Sequence, residues 1–184
     1  MPESMNRAVI SLGTNVNKEE NLPACIRLLD ERCHIVAISP VYETLPVGLS
    51  DQPNFFNAAV IVETELEPAA LKESVLAYIE NRLKRVRDGD KNAPRTIDLD
   101  LALFNDDVCQ YNNHEVPDPD VLRFAHVAVP IADMAPQMLH PQTGEPMYQI
   151  AERLMQEATA ENDGEPMLWR RPDVQLDDAI ERDD

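Results

Sequence analysis

Apolar and polar positions along this chain repeat with a period that switches between two and about 3.6, as expected where strands and helices alternate. Arg7–Leu12 is a short apolar run closed by Gly13 and reads as a strand. Lys18–Leu29 places Leu22, Ile26 and Leu29 at three- to four-residue spacing, a helix with Pro23 near its first turn. Ile35–Glu43 and Asn54–Thr64 read as long strands separated by the Pro- and Gly-containing loop Leu45–Pro53. Glu67–Lys84 reads as a helix with Pro68 in its first turn and an apolar face of Leu71, Val75, Tyr78 or Ile79, and Leu83. Arg85–Pro94, with Gly89 in DGDKN, is a loop. Thr96–Phe104 alternates: Ile97, Leu99, Leu101 and Leu103 on one face, Asp98, Asp100, Ala102 and Phe104 on the other. That is a half-buried strand. A last helix is expected from Met147 to about Ala158.

The order βαββαβ predicts an α+β fold with a ferredoxin-like core, helices lying on one side of a largely antiparallel sheet. At 184 residues and 43% apolar content, one core suffices. Residues 1–158 are expected to form one domain. From Glu157 onward, ten acids face three arginines, and ENDGEP and QLDDAIERDD lack core-forming residues. An acidic, disordered tail is therefore expected over residues 159–184. Within it, MLWRR around Trp169 either docks on the domain surface or is a stray apolar fragment. Cys25, Cys33 and Cys109 cannot all pair and show no metal-ligand spacing; Cys25, in an apolar helical pattern, reads as a buried reduced thiol. MPESMNR has no apolar targeting core, and no segment approaches 18 consecutive apolar residues. A soluble cytoplasmic protein with no membrane partner is expected, with Met5 as a second candidate start.

Charge changes the picture at one place. The chain carries a formal net charge of −18, which argues against nucleic acid as a partner, as does the shortage of aromatics for an RNA-binding sheet. Yet Arg82, Lys84, Arg85, Arg87, Lys91 and Arg95 crowd into 14 residues with only Asp88 and Asp90 against them. Immediately downstream stand Asp98 and Asp100. Residues i and i+2 of a strand share a face, with Cα atoms roughly 6.5–7 Å apart. Two such carboxylates repel unless a cation lies between them. Hard oxygen donors suit Mg²⁺, which takes one or two carboxylates together with substrate phosphates. Cations beside paired carboxylates thus point to a polyphosphate held with divalent metal; a solvated face that happens to carry two Asp is the alternative.

PRTIDLDLALF (Pro94–Phe104) resembles the signature of the 6-hydroxymethyl-7,8-dihydropterin pyrophosphokinases of folate biosynthesis. AVISLGTN (Ala8–Asn15), the Ser39–Gly48 segment SPVYET-P-G, DQPNFFNAAV (Asp51–Val60) and PIADMAP with HPQTG (Pro130–Pro136, His140–Gly144) resemble further segments of that family, in the same order. The resemblance implies the same core with extra C-terminal elements. It implies an ATP-dependent transferase that moves a pyrophosphoryl group to the 6-hydroxymethyl of the reduced pterin and leaves AMP. Asp98 and Asp100 then match the pair that holds two Mg²⁺ ions, and Arg85 and Arg95 the arginines that embrace the phosphates; these four form the catalytic set. Arg87 matches another arginine of the mobile loop, and Glu80 a glutamate at the ATP site. Asn57 matches the amide that reads the pterin edge and Phe55 an aromatic at the ring face, while Thr44, Pro46 and Val47 match the loop that closes the pocket. From the residues alone, Asn57 reads first as a strand residue capping a local bend, and Phe55 could equally fill the core. A monomer working on ATP and a reduced pterin is expected.

The chain also departs from that pattern. Asp118 stands where the family has His after Val-Pro, and Pro119 replaces the next residue. Phe124 falls on an expected arginine, His126 on the pterin-stacking Phe, Asn92 on a Trp and Ala93 on a Gly. Either Arg123, one position away, and His126 or His114 take over these roles, with Arg123 toward ATP and His126 toward the pterin, or the phosphoryl donor or acceptor has changed. A non-catalytic pterin- or nucleotide-binding relative would keep Asn57 and Phe55 but has no need of both Asp98 and Asp100.

Overall fold

β4 (Phe55–Thr64) runs through the middle of the molecule because both of its faces are apolar: all ten of its residues except Phe55 and Glu63 are buried. A computed structural model describes residues 5–48 and 51–180. In chain order β4 is preceded by β1 (Asn6–Thr14), α1 (Lys18–Asp30), β2 (His34–Ile38) and β3 (Tyr42–Thr44). It is followed by a long helix made of α2 (Pro68–Leu71), a π-helical turn (Lys72–Leu76) and α3 (Ala77–Arg82), then by β5 (Asp98–Phe104). The strands pair antiparallel in the order β5-β1-β4-β3, with β2 also on β4 and a C-terminal strand, β8 (Leu168–Arg170), on β3, so the βαββαβ core is ferredoxin-like as expected. A hairpin of β6 (Cys109–Tyr111) and β7 (His114–Val116), then α4 (Ala125–Met134), α5 (Met147–Glu161) and β8 (Leu168–Arg170), complete the fold.

One face of the sheet (Ala8, Ile10, Leu12, Phe56, Ala58, Val60) packs on Leu22, Ile26 and Leu29 of α1 and on Leu71, Leu76 and Ile79 of the long helix. Each such side chain removed from water contributes about 1.5–3 kcal/mol. The opposite face (Val9, Ala59, Ile61) is covered by α4 and α5 through Val127, Ala128, Ile131, Ile150 and Leu154. Helices therefore lie on both sides of the sheet, not on one. The π-helical turn inserts a residue into the helical repeat, so the buried stripe passes from Leu71 and Val75 to Leu76 and Ile79. Tyr78 is left outside, with Arg32 stacked 3.6 Å from its ring centre.

Three further differences from the sequence expectation have local causes. The long strand over Ile35–Glu43 breaks between β2 and β3 at Ser39-Pro40-Val41, where Pro40 lacks an N–H. Ser39 takes over the pairing there: its N–H bonds Ala59 O and its hydroxyl accepts from Ala59 N. β5 has a bulge, since Val9 faces Leu103 while Ile10 faces Leu101. The extra residue, Ala102, sends itself and Leu103 to the second core and returns Phe104 to the first, so the clean alternation ends at Leu101. Finally, the tail expected to be disordered over 159–184 is ordered through residue 180: α5 runs past 158, β8 pairs with β3, and Leu176 is buried in the first core. The short apolar run of MLWRR, which docks on β3, and single apolar residues beyond it were enough to anchor it. Residues 181–184, the end of QLDDAIERDD, lie outside the described residues.

Candidate active site

Asp98 and Asp100 open β5 on the face of the sheet that Ser11 and Gly13 of β1 share. Leu99, between them, is buried and points the other way. Its pairing with Leu12 leaves its peptide groups at the free edge of the sheet, and two charged side chains of the long helix take them. Glu80 Oε1 accepts from Leu99 N at 3.0 Å, and Lys72 Nζ donates to Leu99 O at 2.6 Å. The carboxylate strand is thus held by an anion and a cation set eight positions apart on one helix.

Asp98 accepts from Arg95 Nη1 at 2.6 Å and lies 3.8 Å from Arg85 Nη2. Both arginines are largely buried, and desolvation pulls the Arg85 guanidinium below its ordinary value. Arg95 is fixed at its backbone too: its N–H bonds Asn15 Oδ1 at 2.8 Å, and its carbonyl accepts from Asn15 N and Val16 N. Asn15 also donates to Gln52 and to Pro53 O, so one buried amide ties together the ends of three loops. Arg87 pairs with Glu80 at 2.6 Å. Asp100 lies 3.5 Å from Lys72. Desolvation, and next the neighbouring charge of Asp98, push the Asp100 carboxyl up to about 7.

A cleft of about 390 Å³ starts at these carboxylates and runs along the sheet. It crosses β1, since Gly13 pairs with Asp98 on one side and with Asn57 on the other, and Thr44, Leu45, Val47, Phe55 and His126 also line it. Asn57 is 5% exposed and donates to Thr44 Oγ1 at 2.8 Å, which leaves its amide oxygen toward Gly13. A Cβ at Gly13 would stand 3.3 Å from that oxygen, so glycine keeps the amide clear. Phe55 lies under Arg95, 5.5 Å from ring centre to guanidinium. His126, in the first turn of α4, stacks on Phe124 with centroids 5.2 Å apart and ring planes 24° apart. Burial, and then the charge of Arg95, hold the His126 imidazole down at about 4 against an ordinary 6.5, so it is neutral at neutral pH. Unfolded chains therefore take up a proton at His126 before folded ones do. As pH falls from about 6.5 toward 4, the wild type should lose stability relative to His126→Phe, and above 6.5 their difference should be flat. Parallel chemical denaturation across that range checks this; a constant difference refutes it.

The loop Arg85–Pro94 leans over the cleft mouth. Asn92 and Lys91 line it, Asn92 O accepts from Gln52 Nε2 at 2.8 Å, and Arg95 donates to Lys91 O. Gly48, at φ +89°, lies under Asn92: a Cβ there would come within 2.6 Å of its amide nitrogen. On the other flank of Asp100 a smaller polar cleft of about 230 Å³ is lined by Lys72, Tyr111, His114 and Asp118.

Of the residues expected from sequence, the main cleft brings together Thr44, Val47, Phe55, Asn57, Arg95, Asp98, Asp100, Arg123 and His126. Pro46 sits between two lining residues without lining the cleft itself. Glu80, Arg85 and Arg87 stand behind the carboxylates, on Leu99, Asp98 and Glu80 respectively. Sequence reasoning missed Lys72, Asn15 and Gly13. Lys72 had a signal, a lone cation bordering the buried stripe of a helix; Asn15 had none beyond following a strand. Among the described residues no three His, Cys, Asp or Glu side chains cluster to hold a metal, and no helix is long and apolar enough to cross a membrane. Two carboxylates supply only part of a ligand shell, which fits Mg²⁺ completed by water and phosphate oxygens.

A family model described as 7,8-dihydro-6-hydroxymethylpterin-pyrophosphokinase matches residues 9–136. The 2-amino-4-hydroxy-6-hydroxymethyldihydropteridine pyrophosphokinase of Bacillus subtilis is 37% identical over 136 residues, covering 72% of this chain and 80% of that protein. The protein of the same name from Haemophilus influenzae is 34% identical over 142 residues, covering 76% and 88%. Among solved structures, the wild-type HPPK-DHPS of Plasmodium falciparum matches with a TM-score of 0.73 at 16% identity. That match covers 92% of this chain and 47% of the Plasmodium chain, and it is a likeness of fold. With its match spanning most of the core, the chain belongs to the 7,8-dihydro-6-hydroxymethylpterin-pyrophosphokinase family.

Proposed function

We propose that this protein transfers a pyrophosphoryl group from ATP to the 6-hydroxymethyl of 6-hydroxymethyl-7,8-dihydropterin, releasing AMP, as a monomer acting in folate biosynthesis. One observation supports this most: Asp98 and Asp100, with Arg85 and Arg95 against them, stand at one end of a cleft whose other end is a buried amide, Asn57. The pterin lies at that end. Asn57 reads its edge, since an amide both donates and accepts. Phe55 and neutral His126 flank the ring, and the chain at Thr44, Pro46 and Val47 closes the pocket.

The substrate hydroxyl attacks the β-phosphorus of ATP, the bond to the α-phosphate breaks, and the hydroxyl proton leaves to solvent. No side chain acts as nucleophile; positioning and charge lower the barrier. Arg95 and Arg85 take phosphate oxygens in place of Asp98, bidentate and always charged. Asp98 and Asp100 would hold two Mg²⁺ ions, which when bound would supply charge neutralisation and phosphate orientation. The nucleoside side of ATP lies in the smaller cleft beside Lys72, with Arg123 reaching in from the main one. Glu80 and Arg87 act from behind, by holding Leu99 and the base of the loop.

The testing experiment is a turnover assay with Mg²⁺, ATP and the dihydropterin, following AMP. AMP that requires both metal and pterin is expected. No AMP, with pterin still bound in calorimetry, overturns the reading in favour of a changed donor or a binding role. The loop gives a second expectation. Deleting residues 88–92 removes the Asn92 contacts to Gly48 and Gln52 and should lower kcat about a hundredfold while pterin affinity changes by no more than about threefold. Equal losses in both would sink its role as a lid.

A further inference from the structure

The C-terminal segment lies beyond the family match at 9–136, yet its strand β8 pairs with β3, which carries Thr44 of the cleft. β8 pairs with all of β3: Leu168 faces Thr44, Trp169 faces Glu43, and Arg170 faces Tyr42. Hydrogen bonds continue the pairing at both ends, from Leu45 N to Met167 O and from Arg171 N to Val41 O. Arg171 then turns its guanidinium inward onto Glu43 while its other nitrogens hold Asp173 at 2.7 and 2.9 Å.

Glu43 is a junction. Its side chain is 14% exposed and also takes Asn54 Nδ2 at 3.2 Å and Lys18 Nζ at 3.6 Å. Lys18 in turn donates to Asn54 O at 2.9 Å. Burial alone would raise the Glu43 carboxyl, but Arg171, Asn54 and Lys18 together hold it below the usual range. Lys18 and Arg171 also both lie against the ring of buried Phe56, at 4.5 and 5.2 Å. Two further segments, those of Lys18 and Arg171, therefore converge on two residues, Glu43 and Asn54. Each immediately precedes a residue of the pocket: Thr44, which accepts from Asn57, and Phe55.

We infer that Arg171 is a positioning residue for the pterin pocket, acting through Glu43 to hold Thr44 and Phe55 in register with Asn57. The inference rests on the proposed pterin site. Arg171 touches no substrate; it fixes where β3 ends. Removing its side chain leaves Glu43 with a single, longer cation contact, Lys18 at 3.6 Å, and loosens the end of β3. Displacements of an ångström at such a site are enough to lose a hydrogen-bonded ring edge.

The experiment is calorimetry of 6-hydroxymethyl-7,8-dihydropterin and, separately, of ATP with Mg²⁺, on the full chain and on Arg171→Met and Arg171→Lys. Pterin affinity should fall about tenfold in Arg171→Met with ATP affinity within about twofold, and Arg171→Lys should recover part of the loss. Unchanged pterin affinity with a lowered melting temperature overturns the inference, since Arg171 would then only staple the tail. A wild type that binds no pterin overturns the proposed function itself, which distinguishes the two failures. Hydrogen exchange on the wild type tests the same coupling without any variant. Pterin should slow exchange at Leu45 and Arg171, two amides that extend the pairing of β8 with β3 at its ends, and no change there also overturns it.

Discussion

Asp98→Ala is expected to abolish pyrophosphoryl transfer, by at least about a thousandfold in kcat, in a protein that still folds. Asp98 is the carboxylate on which Arg95 and Arg85 converge. Its loss removes half of the metal site and leaves two largely buried guanidiniums with no anion between them. That second effect should cost about 1–3 kcal/mol of stability. It also yields a separate signature. Inorganic pyrophosphate added without metal should bind the variant at least as well as the wild type, because it no longer competes with Asp98 for the arginines. Mg²⁺-dependent ATP binding should be lost at the same time. Steady-state kinetics, thermal melting and pyrophosphate titration check the three parts. Retained turnover would refute the metal role, and pyrophosphate binding weakened along with ATP would refute the arrangement of arginines around one carboxylate.

The fold's core was legible because periodicity reports what faces water. α1, β4 and β5 stand within a residue or two of where the apolar pattern puts them. The pattern failed where another constraint overrode it. α4 was not foreseen: Val127, Val129 and Pro130 are poor helix formers, and only burial of nearly every side chain against the sheet makes the segment helical. The hairpin of β6 and β7 turns on Asn112-Asn113, both at positive φ, a signal present in the sequence but too short to weigh alone. The bulge at Ala102 and the π-helical turn at Lys72–Leu76 each add one residue to a repeat, a choice that depends on the partner surface. The tail misled because charge dominated its composition, while the Arg171–Glu43 ion pair and two buried leucines, Leu168 and Leu176, decide where it lies.

The site shows the same division. Residues that would touch a ligand had chemistry visible in sequence, namely paired carboxylates, clustered arginines and an amide on a strand. Asn15 and Glu43, which hold those residues from afar, did not. Asn15 bonds Arg95 from 80 positions away, and Glu43 meets Arg171 across 128. Contacts at that separation leave no periodic trace. A position that departs from the family pattern is also readable only in place. His126 falls on the cleft wall beside Phe124, so the changed segment still presents two flat rings there.

Glu80→Ala tests the support directly and should be the most destabilising single change near the site. The Glu80 side chain is 6% exposed, and its carboxylate satisfies Leu99 N, the amide between the two aspartates, at 3.0 Å. Alanine leaves that N–H buried and unpaired at the sheet edge, a loss of about 2–3 kcal/mol. For a chain of this size the melting temperature should drop by about 5–10 °C. The pair with Arg87 adds little, because Arg87 is 61% exposed and solvent screens it. Glu80→Gln keeps an oxygen that can accept from Leu99 and should melt within a few degrees of the wild type, with kcat reduced far less than in the alanine variant. If Glu80 instead contacted ATP itself, both variants would raise the KM for ATP alike and leave the melting temperature where it was. The two variants measured side by side therefore separate a residue that holds the carboxylate strand from one that binds the nucleotide.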